Sequence, residues 1–262
     1  MPNPPAFSLA GLAVLVTGAS SGIGRAIAVA AAAAGADVAV TFAHDEGAGQ
    51  QTAGVIRRSG RRATVVQLDL ADGALLEHHL HELTHVVDRE LGGIDVWINN
   101  AGADILTGAA AQLPATSKLD LLLAVDLRGT MVASWHAAQT LAARPKGGLI
   151  INMSWDHVLS GMEGRNPQMF AAVKGGVLAF SKSLARSVAP KVRVNVLAPG
   201  WISTAFASEL DESRRESVAA STPLGRWGTP EDVAAAAVYL ASPAAAFLTG
   251  QTIFVNGGVV MG

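Results

Sequence analysis

The stretch that decides the fold reads Thr17-Gly18-Ala19-Ser20-Ser21-Gly22-Ile23-Gly24. The apolar run Ala13–Val16 comes directly before it, and the Ala-rich helical segment Arg25–Ala34 follows directly after it. A glycine turn at the start of a helix lets the backbone approach a pyrophosphate, whose charge the first amides and the helix dipole favour. Tight turns also use glycine for steric reasons alone. The strand–turn–helix context favours dinucleotide binding over that simpler interpretation.

Apolar runs of strand length alternate with helical stretches along the rest of the chain. The strand candidates are Ala13–Val16, Val38–Phe42, Thr64–Leu68, Val96–Ile98, Leu149–Asn152, Val192–Leu197 and Thr252–Val255. Strands that are apolar at nearly every position are buried on both faces, as in a parallel sheet covered by helices. We therefore predict an α/β fold, a doubly wound parallel sheet of about seven strands, in a single domain that spans residues 1–262.

Composition excludes several classes of protein. Half of the residues are apolar, and 19 basic against 21 acidic side chains give a net charge of −2, so neither disorder nor a nucleic-acid partner is expected. Zero cysteines exclude disulfides and cysteine metal sites. We interpret His78, His79, His81 and His85 as a solvated helix face, and we predict no metal site. Proline, glycine and polar residues interrupt the uncharged tail Val233–Gly262, so we expect a cytoplasmic protein without a membrane span.

Several motifs occur together and in order. Besides Gly-x-x-x-Gly-x-Gly after Thr17, the chain carries Asp69 after the third strand, Asn99-Asn100-Ala101-Gly102 after the fourth, Pro199-Gly200-Trp201-Ile202-Ser203-Thr204 after the sixth, and a tail Gly250–Gly258 that ends Val-Asn-Gly-Gly. With these motifs the chain resembles the classical short-chain dehydrogenase/reductase family, and within it the 3-oxoacyl-carrier-protein reductases. The resemblance covers residues 9–258 and implies a Rossmann-like fold.

The resemblance also implies a nicotinamide cofactor and the residues that bind it. Carried over position by position, these are Gly18, Ser20, Ser21, Gly22, Ile23, Gly24, Thr41, His44, Asp69, Leu70, Asn99, Ala101, Gly102, Lys174, Pro199, Gly200, Ile202 and Thr204. In the family the lysine binds the ribose of the nicotinamide, the loop after the sixth strand lies on the nicotinamide side, and the aspartate contacts the adenine.

The end of the second strand indicates which nicotinamide cofactor is preferred. It reads Thr41-Phe42-Ala43-His44, with Phe42 where NAD-selective relatives carry an acidic residue for the ribose hydroxyls. No Arg or Lys stands in the glycine loop or at Ala43, which leaves Thr41 and His44 as candidates for the 2′-phosphate of NADP. Asp45 argues mildly for NAD. We predict NADP(H) in preference to NAD(H).

The catalytic positions depart from the family pattern of Asn, Ser, Tyr and Lys. Phe170-Ala171-Ala172-Val173-Lys174 keeps the lysine, but phenylalanine replaces the tyrosine four residues before it, on the same helix face. The reference pKa of a phenol is about 10, and a neighbouring ammonium lowers it. The phenol can then exchange a proton with a carbonyl oxygen. A benzene ring has no proton to exchange. The one tyrosine of the chain, Tyr239, lies in a late Ala-rich helix.

The family's other two catalytic positions are also changed. Counted from Asn152 at the end of the fifth strand, the catalytic serine falls on Trp155; counted back from Phe170, it falls on His157. Asp126 in Val125-Asp126-Leu127-Arg128-Gly129 stands where the family has asparagine.

Other residues are candidates for the missing proton donor. They are Asp156, His157 and Glu163, with Asp126 behind Lys174 as part of a relay; the alternative is that these loop residues only shape the pocket. We predict an oxidoreductase that transfers a hydride between NADP(H) and a carbonyl or secondary alcohol. The alternative is a nicotinamide-binding sensor or partner subunit with little or no reductase activity, and a reaction other than hydride transfer is a third option.

The resemblance further implies a homotetramer. Relatives commonly assemble through segments that correspond here to Ser117–Ala142, Pro167–Ala189 and Thr252–Val255. The uncharged C-terminal part of the chain fits burial at such an interface, although burial in the core explains much of it as well.

Overall fold

The computed structural model describes residues 7–208 and 210–261 of the chain, except for the side chains of residues 206 and 208. All seven predicted strands form, with bounds within two residues of those expected. They are β1 (Ala13–Val16), β2 (Asp37–Phe42), β3 (Ala63–Gln67), β4 (Val96–Asn99), β5 (Gly148–Met153), β6 (Val192–Pro199) and β7 (Thr252–Val255). β1, β2 and β4 are buried at every position, which is why they read as continuous apolar runs.

The strands form a single parallel sheet in the order β3-β2-β1-β4-β5-β6-β7. β1 lies between β2 and β4, so the strand order reverses direction there, and the two halves of the sheet wind outward from that point. This topology confirms the predicted α/β, doubly wound, Rossmann-like fold. Ligands of such sheets bind beyond the carboxyl ends of the strands at the reversal point.

Helices cover both faces of the sheet. They are α1 (Gly22–Ala33), α2 (Glu46–Arg58), α3 (Leu76–Leu91), α4 (Ala115–Leu122), α5 (Thr130–Ala142), α6 (Arg165–Val188), α7 (Ala205–Ser208), α8 (Glu212–Ser221) and α9 (Pro230–Ala241). α1 and α9 pack together in the core of one face, whereas α3 and α5 share the core of the other. His78, His81 and His85 are exposed on α3, in line with the predicted solvated face, whereas His79 is half-buried with its Nδ1 3.6 Å from Oδ2 of Asp72.

A seven-residue π-helix, Leu123–Gly129, joins α4 to α5 and was not predicted from the sequence. It carries Asp126, whose side chain is buried toward the carboxyl end of the sheet. Wider turns of this type are rare and occur often at functional sites. Within the described ranges, no helix is long and apolar enough to cross a membrane.

Candidate active site

The glycine turn between β1 and α1 is too crowded for side chains. Gly18 has a φ of +63°, which favours glycine, and a Cβ there would lie 2.9 Å from Cα of Ala101. A Cβ on Gly24 would overlap the carbonyl of Gly18 and the side-chain amide of Asn100. That amide donates to the carbonyl oxygens of Thr17 and Gly18, at 3.0 and 3.3 Å. The loop after β4 therefore fixes the turn after β1.

The first turn of α1 is open to a ligand. The N-cap residue Ser21 has extended backbone geometry, and its side chain makes no hydrogen bond to the first turn. That turn contains no acidic residue. Ser21 and Gly22 are exposed, Ser20 is half-buried, and a Cβ on Gly22 would meet only Cγ2 of Thr204, at 3.9 Å. Unpaired amides at a helix start bind phosphate groups. The turn thus fits the pyrophosphate of a dinucleotide.

At the end of β2 the two predicted phosphate ligands lie in different surroundings. Thr41 is fully buried, and its Oγ1 accepts a hydrogen bond from the amide of Gly18 at 3.2 Å, so it supports the glycine turn from below. His44 is exposed. The carboxylate of Asp45 caps α2 by accepting from the amide of Ala48 at 2.8 Å. Asp45, which argued for NAD, thus already has a structural role.

Three further predicted cofactor residues use their side chains within the protein. Asn99 is buried, and its amide group donates to Oγ of Ser134 and to Oδ1 of Asn152, at 2.9 and 2.8 Å. Asp69 is half-buried and accepts from its own loop, while Leu70 is buried.

A cavity of about 440 Å³ opens beyond the carboxyl ends of the strands, next to the glycine turn. Its size is within the range of small-molecule sites. The lining is mostly apolar and consists of Ile23, Asn100, Leu106, Met153, Ser154, Trp155, Met162, Asn166, Pro167, Phe170, Lys174, Pro199, Gly200, Trp201, Ile202, Thr204, Leu210 and Arg214. The structure therefore brings together the predicted Ile23, Phe170, Lys174, Pro199, Gly200, Ile202 and Thr204.

Lys174 reaches this cavity from α6 and is paired from behind. Its Nζ lies 2.7 Å from Oδ1 of Asp126, which is 1% exposed. The other carboxylate oxygen of Asp126 accepts from the amide of Ala103 at 2.8 Å. A Cβ on Gly102 would lie 2.8 Å from Oδ1 of Asp126, so glycine leaves room for the ion pair.

Trp155 occupies the cavity wall beside Phe170, with ring centroids 6.2 Å apart. His157 lies outside the lining and stacks on Trp155, with centroids 4.9 Å apart and planes 16° from parallel. Of the two residues to which the alignments assign the family's catalytic serine, Trp155 lines the cavity and His157 does not. Ser154 also lines the cavity, and its hydroxyl donates to the carbonyl of Lys174 at 2.8 Å.

The other candidate proton donors do not reach the cavity lining. Asp156 is fully buried, and its Oδ1 accepts from the amide and from Nδ1 of His157, at 2.8 and 2.7 Å. Among the described residues Oδ2 of Asp156 has no hydrogen-bond partner, and it faces Gly200, whose Cβ would lie 2.8 Å away. Glu163 is exposed in the loop before α6. Lys174 and Arg214 are the ionisable groups in the described lining.

The sequence did not single out Asn166 or Arg214. No local pattern in the sequence showed that these two side chains line the cavity. Asn166 is in the first turn of α6 and Arg214 in the first turn of α8. Polar side chains are common on the exposed face of a surface helix, so neither residue gave a functional signal.

Comparison with known proteins gives a consistent result. A family model described as enoyl-(acyl carrier protein) reductase matches residues 18–260. The chain is 35% identical over 271 residues to the 3-oxoacyl-[acyl-carrier-protein] reductase FabG of Vibrio harveyi, with 97% of this chain and 100% of the relative covered.

Two solved structures are similar over nearly their whole length. One is the angucycline C-6 ketoreductase LanV with bound NADP, with a TM-score of 0.84 and 29% identity over 97% of this chain and 98% of the other. The second is a 7α-hydroxysteroid dehydrogenase in complex with NADH and 7-oxo glycochenodeoxycholic acid, with a TM-score of 0.86 and 28% identity over 100% and 99% of the two chains.

Proposed function

This chain belongs to the classical short-chain dehydrogenase/reductase family of oxidoreductases, and we propose that it interconverts a carbonyl compound and a secondary alcohol with NADP(H). The FabG relative and the LanV ketoreductase are reductases, and the hydroxysteroid dehydrogenase catalyses the same class of reaction. These relatives give no support to the alternative of a nicotinamide-binding protein without reductase activity.

The observation that carries the proposal is the position of Lys174. Its ammonium lines the cavity, next to the phenylalanine ring that replaces the family's tyrosine, and is held by a buried carboxylate. Lysine ammonium groups and tyrosine phenols have similar reference pKa values, about 10.4 and about 10, so an ammonium is an acid of comparable strength to the missing phenol. We therefore assign the proton donor to Lys174 rather than to Asp156, His157 or Glu163.

When bound, the reduced nicotinamide supplies the hydride for the carbonyl carbon. The chain's own contribution is to bind the substrate against an apolar wall, to exclude water and to deliver the proton to the carbonyl oxygen. Lys174 donates that proton, and the carboxylate of Asp126 holds the ammonium toward the cavity. A carbonyl, a hydride and a proton together give the secondary alcohol.

The preference for NADP(H) over NAD(H) rests on the end of β2. There the exposed His44 remains as a donor toward a 2′-phosphate, and the carboxylate of Asp45, which would repel that phosphate, is engaged in capping α2. We therefore expect a higher kcat/KM with NADPH than with NADH on the same ketone.

NADPH oxidation with a panel of apolar ketones and 3-oxoacyl thioesters tests the proposal. We expect turnover by the wild type and a loss of about 10²- to 10⁴-fold in kcat for Lys174→Met, the usual contribution of a general acid. Lys182→Met is the matched control, because Lys182 is exposed on the same helix. NADPH binding, followed by fluorescence titration, separates lost chemistry from lost cofactor.

The remaining variants test the roles of the neighbouring side chains. Phe170→Tyr restores a phenol, so we expect it to raise kcat. Asp126→Asn removes the carboxylate that holds the ammonium toward the cavity, so we expect it to lower kcat. Unchanged kcat in Lys174→Met would overturn the assignment of Lys174, and turnover by Phe170→Tyr alone would favour the binding-protein alternative.

A further inference from the structure

Arg214 is a cation at the rim of the cavity that the proposed reaction does not use. It lies in the first turn of α8, lines the cavity together with Leu210, and is exposed. Four residues further along the helix, Val218 is buried, so Arg214 shares the helix face that turns toward the protein. Because Arg214 lines the cavity, its side chain is within reach of a ligand that fills it.

Arg214 has no carboxylate partner in the described part of the chain. The arginines that form ion pairs there are Arg61, Arg62, Arg89, Arg144 and Arg226. Glu212 and Glu216 lie two residues from Arg214 on either side, and residues at that spacing do not face each other on a helix. Asp211 uses its Oδ1 to cap α8 by accepting from the amide of Arg214 at 2.7 Å.

The charged side chains in the described lining of the cavity are all positive. Among the described lining residues, Lys174 and Arg214 are cationic and no side chain is acidic. The positive charge of Lys174 is balanced by Asp126 behind it, so the net positive charge comes from Arg214. Asn166 adds an amide to the same wall. Two acidic residues near the cavity lie outside its described lining: Asp156 is buried and accepts from the amide of His157, and Asp104 accepts from the backbone amides of Leu106 and Thr107.

We infer that the cavity has an anion subsite at Arg214, and that the substrate is an apolar ketone with a carboxylate or phosphate at the end remote from the carbonyl. The apolar wall of Trp155, Phe170 and Trp201 takes the hydrocarbon body, and the guanidinium binds the anion. Arginine suits both anions, because its planar fork donates two parallel hydrogen bonds to either one. The inference rests on the proposed function for the carbonyl end of the substrate and on Arg214 for the other end.

Calorimetric titration tests the subsite without requiring turnover. The probes are 4-oxo-4-(2-naphthyl)butanoate, its methyl ester and an alkyl ketone that ends in a phosphate monoester, each titrated with saturating NADP⁺ so that no reduction occurs. We expect the carboxylate to bind about tenfold more tightly than its ester, which corresponds to about 1.4 kcal/mol. Arg214→Ala removes this preference, and Arg214→Lys keeps part of it. Arg215→Ala is the matched control, since it removes the same charge one residue away, outside the lining.

The outcomes separate the subsite from the reaction. Equal binding of acid and ester, a preference that survives in Arg214→Ala, or no binding of the carboxylate and the phosphate at millimolar concentration would each overturn the inference. The ratio of carboxylate to phosphate affinity shows which anion the subsite prefers. Acid-selective binding without NADPH oxidation would contradict the proposed function and support the subsite. Equal turnover of acid and ester would support the proposed function and contradict the subsite.

Discussion

The buried ion pair of Lys174 and Asp126 carries a desolvation cost. Both groups are nearly excluded from water, and desolvating two charges often costs as much as their attraction returns. Ordinary packing at this position would need no charge at all. A buried carboxylate that holds an ammonium against a cavity instead provides a proton donor with a fixed direction, which is the role that we propose for the pair.

His136 supplies a prediction at the residue scale, in a part of the molecule remote from the cavity. It lies on α5, its Nε2 is 2.7 Å from Oγ1 of Thr84, and its ring meets that of His81 edge-on with centroids 4.7 Å apart. Burial, together with the charge of His81, lowers the pKa of His136 to about 4. Burial disfavours the protonated form.

The sign of the pH effect follows from that lowered pKa. Between the unfolded value of about 6.5 and the folded value, the unfolded chain binds the proton and the folded chain does not, so the free energy of unfolding falls as the pH falls through this range. We expect a loss of roughly 1–2 kcal/mol between about pH 7 and about pH 5, measured by thermal unfolding. His136→Gln flattens this dependence, while His85→Gln, at an exposed position of α3, leaves it unchanged. An unchanged slope in His136→Gln would contradict the prediction.

At the scale of elements, a helix, strand or turn is predictable when its own residues determine its conformation, and not when residues distant in sequence do. The seven strands were predicted because burial on both faces makes each one a continuous apolar run between turn signals. The glycine turn was predicted because the steric demand for glycine is local. The π-helix at Asp126 was not predicted, because no residue pattern in Leu123–Gly129 is specific to a π-helix, and the helix α6 that it contacts comes from a distant part of the chain.

The site was predictable to a smaller extent for the same reason. The motif alignment identified Lys174, Phe170 and the loop after β6, all of which line the cavity. It could not show that Thr41 and Asp156 are fully buried, since burial of a polar side chain depends on neighbours that are distant in sequence. That Arg214 lines the cavity likewise depends on how α8 packs on the rest of the chain.

We expect two glycine-to-alanine variants, one in α1 and one in α2, to change the free energy of unfolding in opposite directions. Gly24→Ala puts a methyl group into the carbonyl of Gly18, so we expect it to lower the free energy of unfolding by about 1–3 kcal/mol and to abolish NADPH binding. Gly54 is in the middle of α2, where a Cβ would meet only the end of the Arg58 side chain, at 3.5 Å. Gly54→Ala therefore stabilises the protein by about 0.5–1 kcal/mol through helix propensity.

Thermal unfolding and fluorescence titration with NADPH measure both effects. Normal NADPH binding by Gly24→Ala would mean that the turn tolerates displacement and that its crowding is not tied to the cofactor. A destabilised Gly54→Ala variant would instead show that α2 needs glycine for packing.

On the scale of the whole molecule, apolar side chains are exposed near the edge strand β7 and on α5. β7 is an edge strand, and its residues are half-buried in the single chain. Phe247 is fully exposed beside it, and Trp135 of α5 is 49% exposed while it packs edge-on against Phe180 of α6. Exposed apolar edges of this kind invite association with another chain.

The predicted homotetramer would cover these surfaces with further copies of the chain. Light scattering at micromolar concentration should give four times the chain mass of 26.8 kDa. Because Phe247 is fully exposed, Phe247→Asp leaves the fold of the chain intact and should lower the mass to that of dimers or monomers. Trp135→Asp should do the same at the helical surface. Leu75→Asp is the control, since Leu75 is 52% exposed at the start of α3, outside the predicted interface, and should remain tetrameric. A wild-type mass of one chain would contradict the prediction.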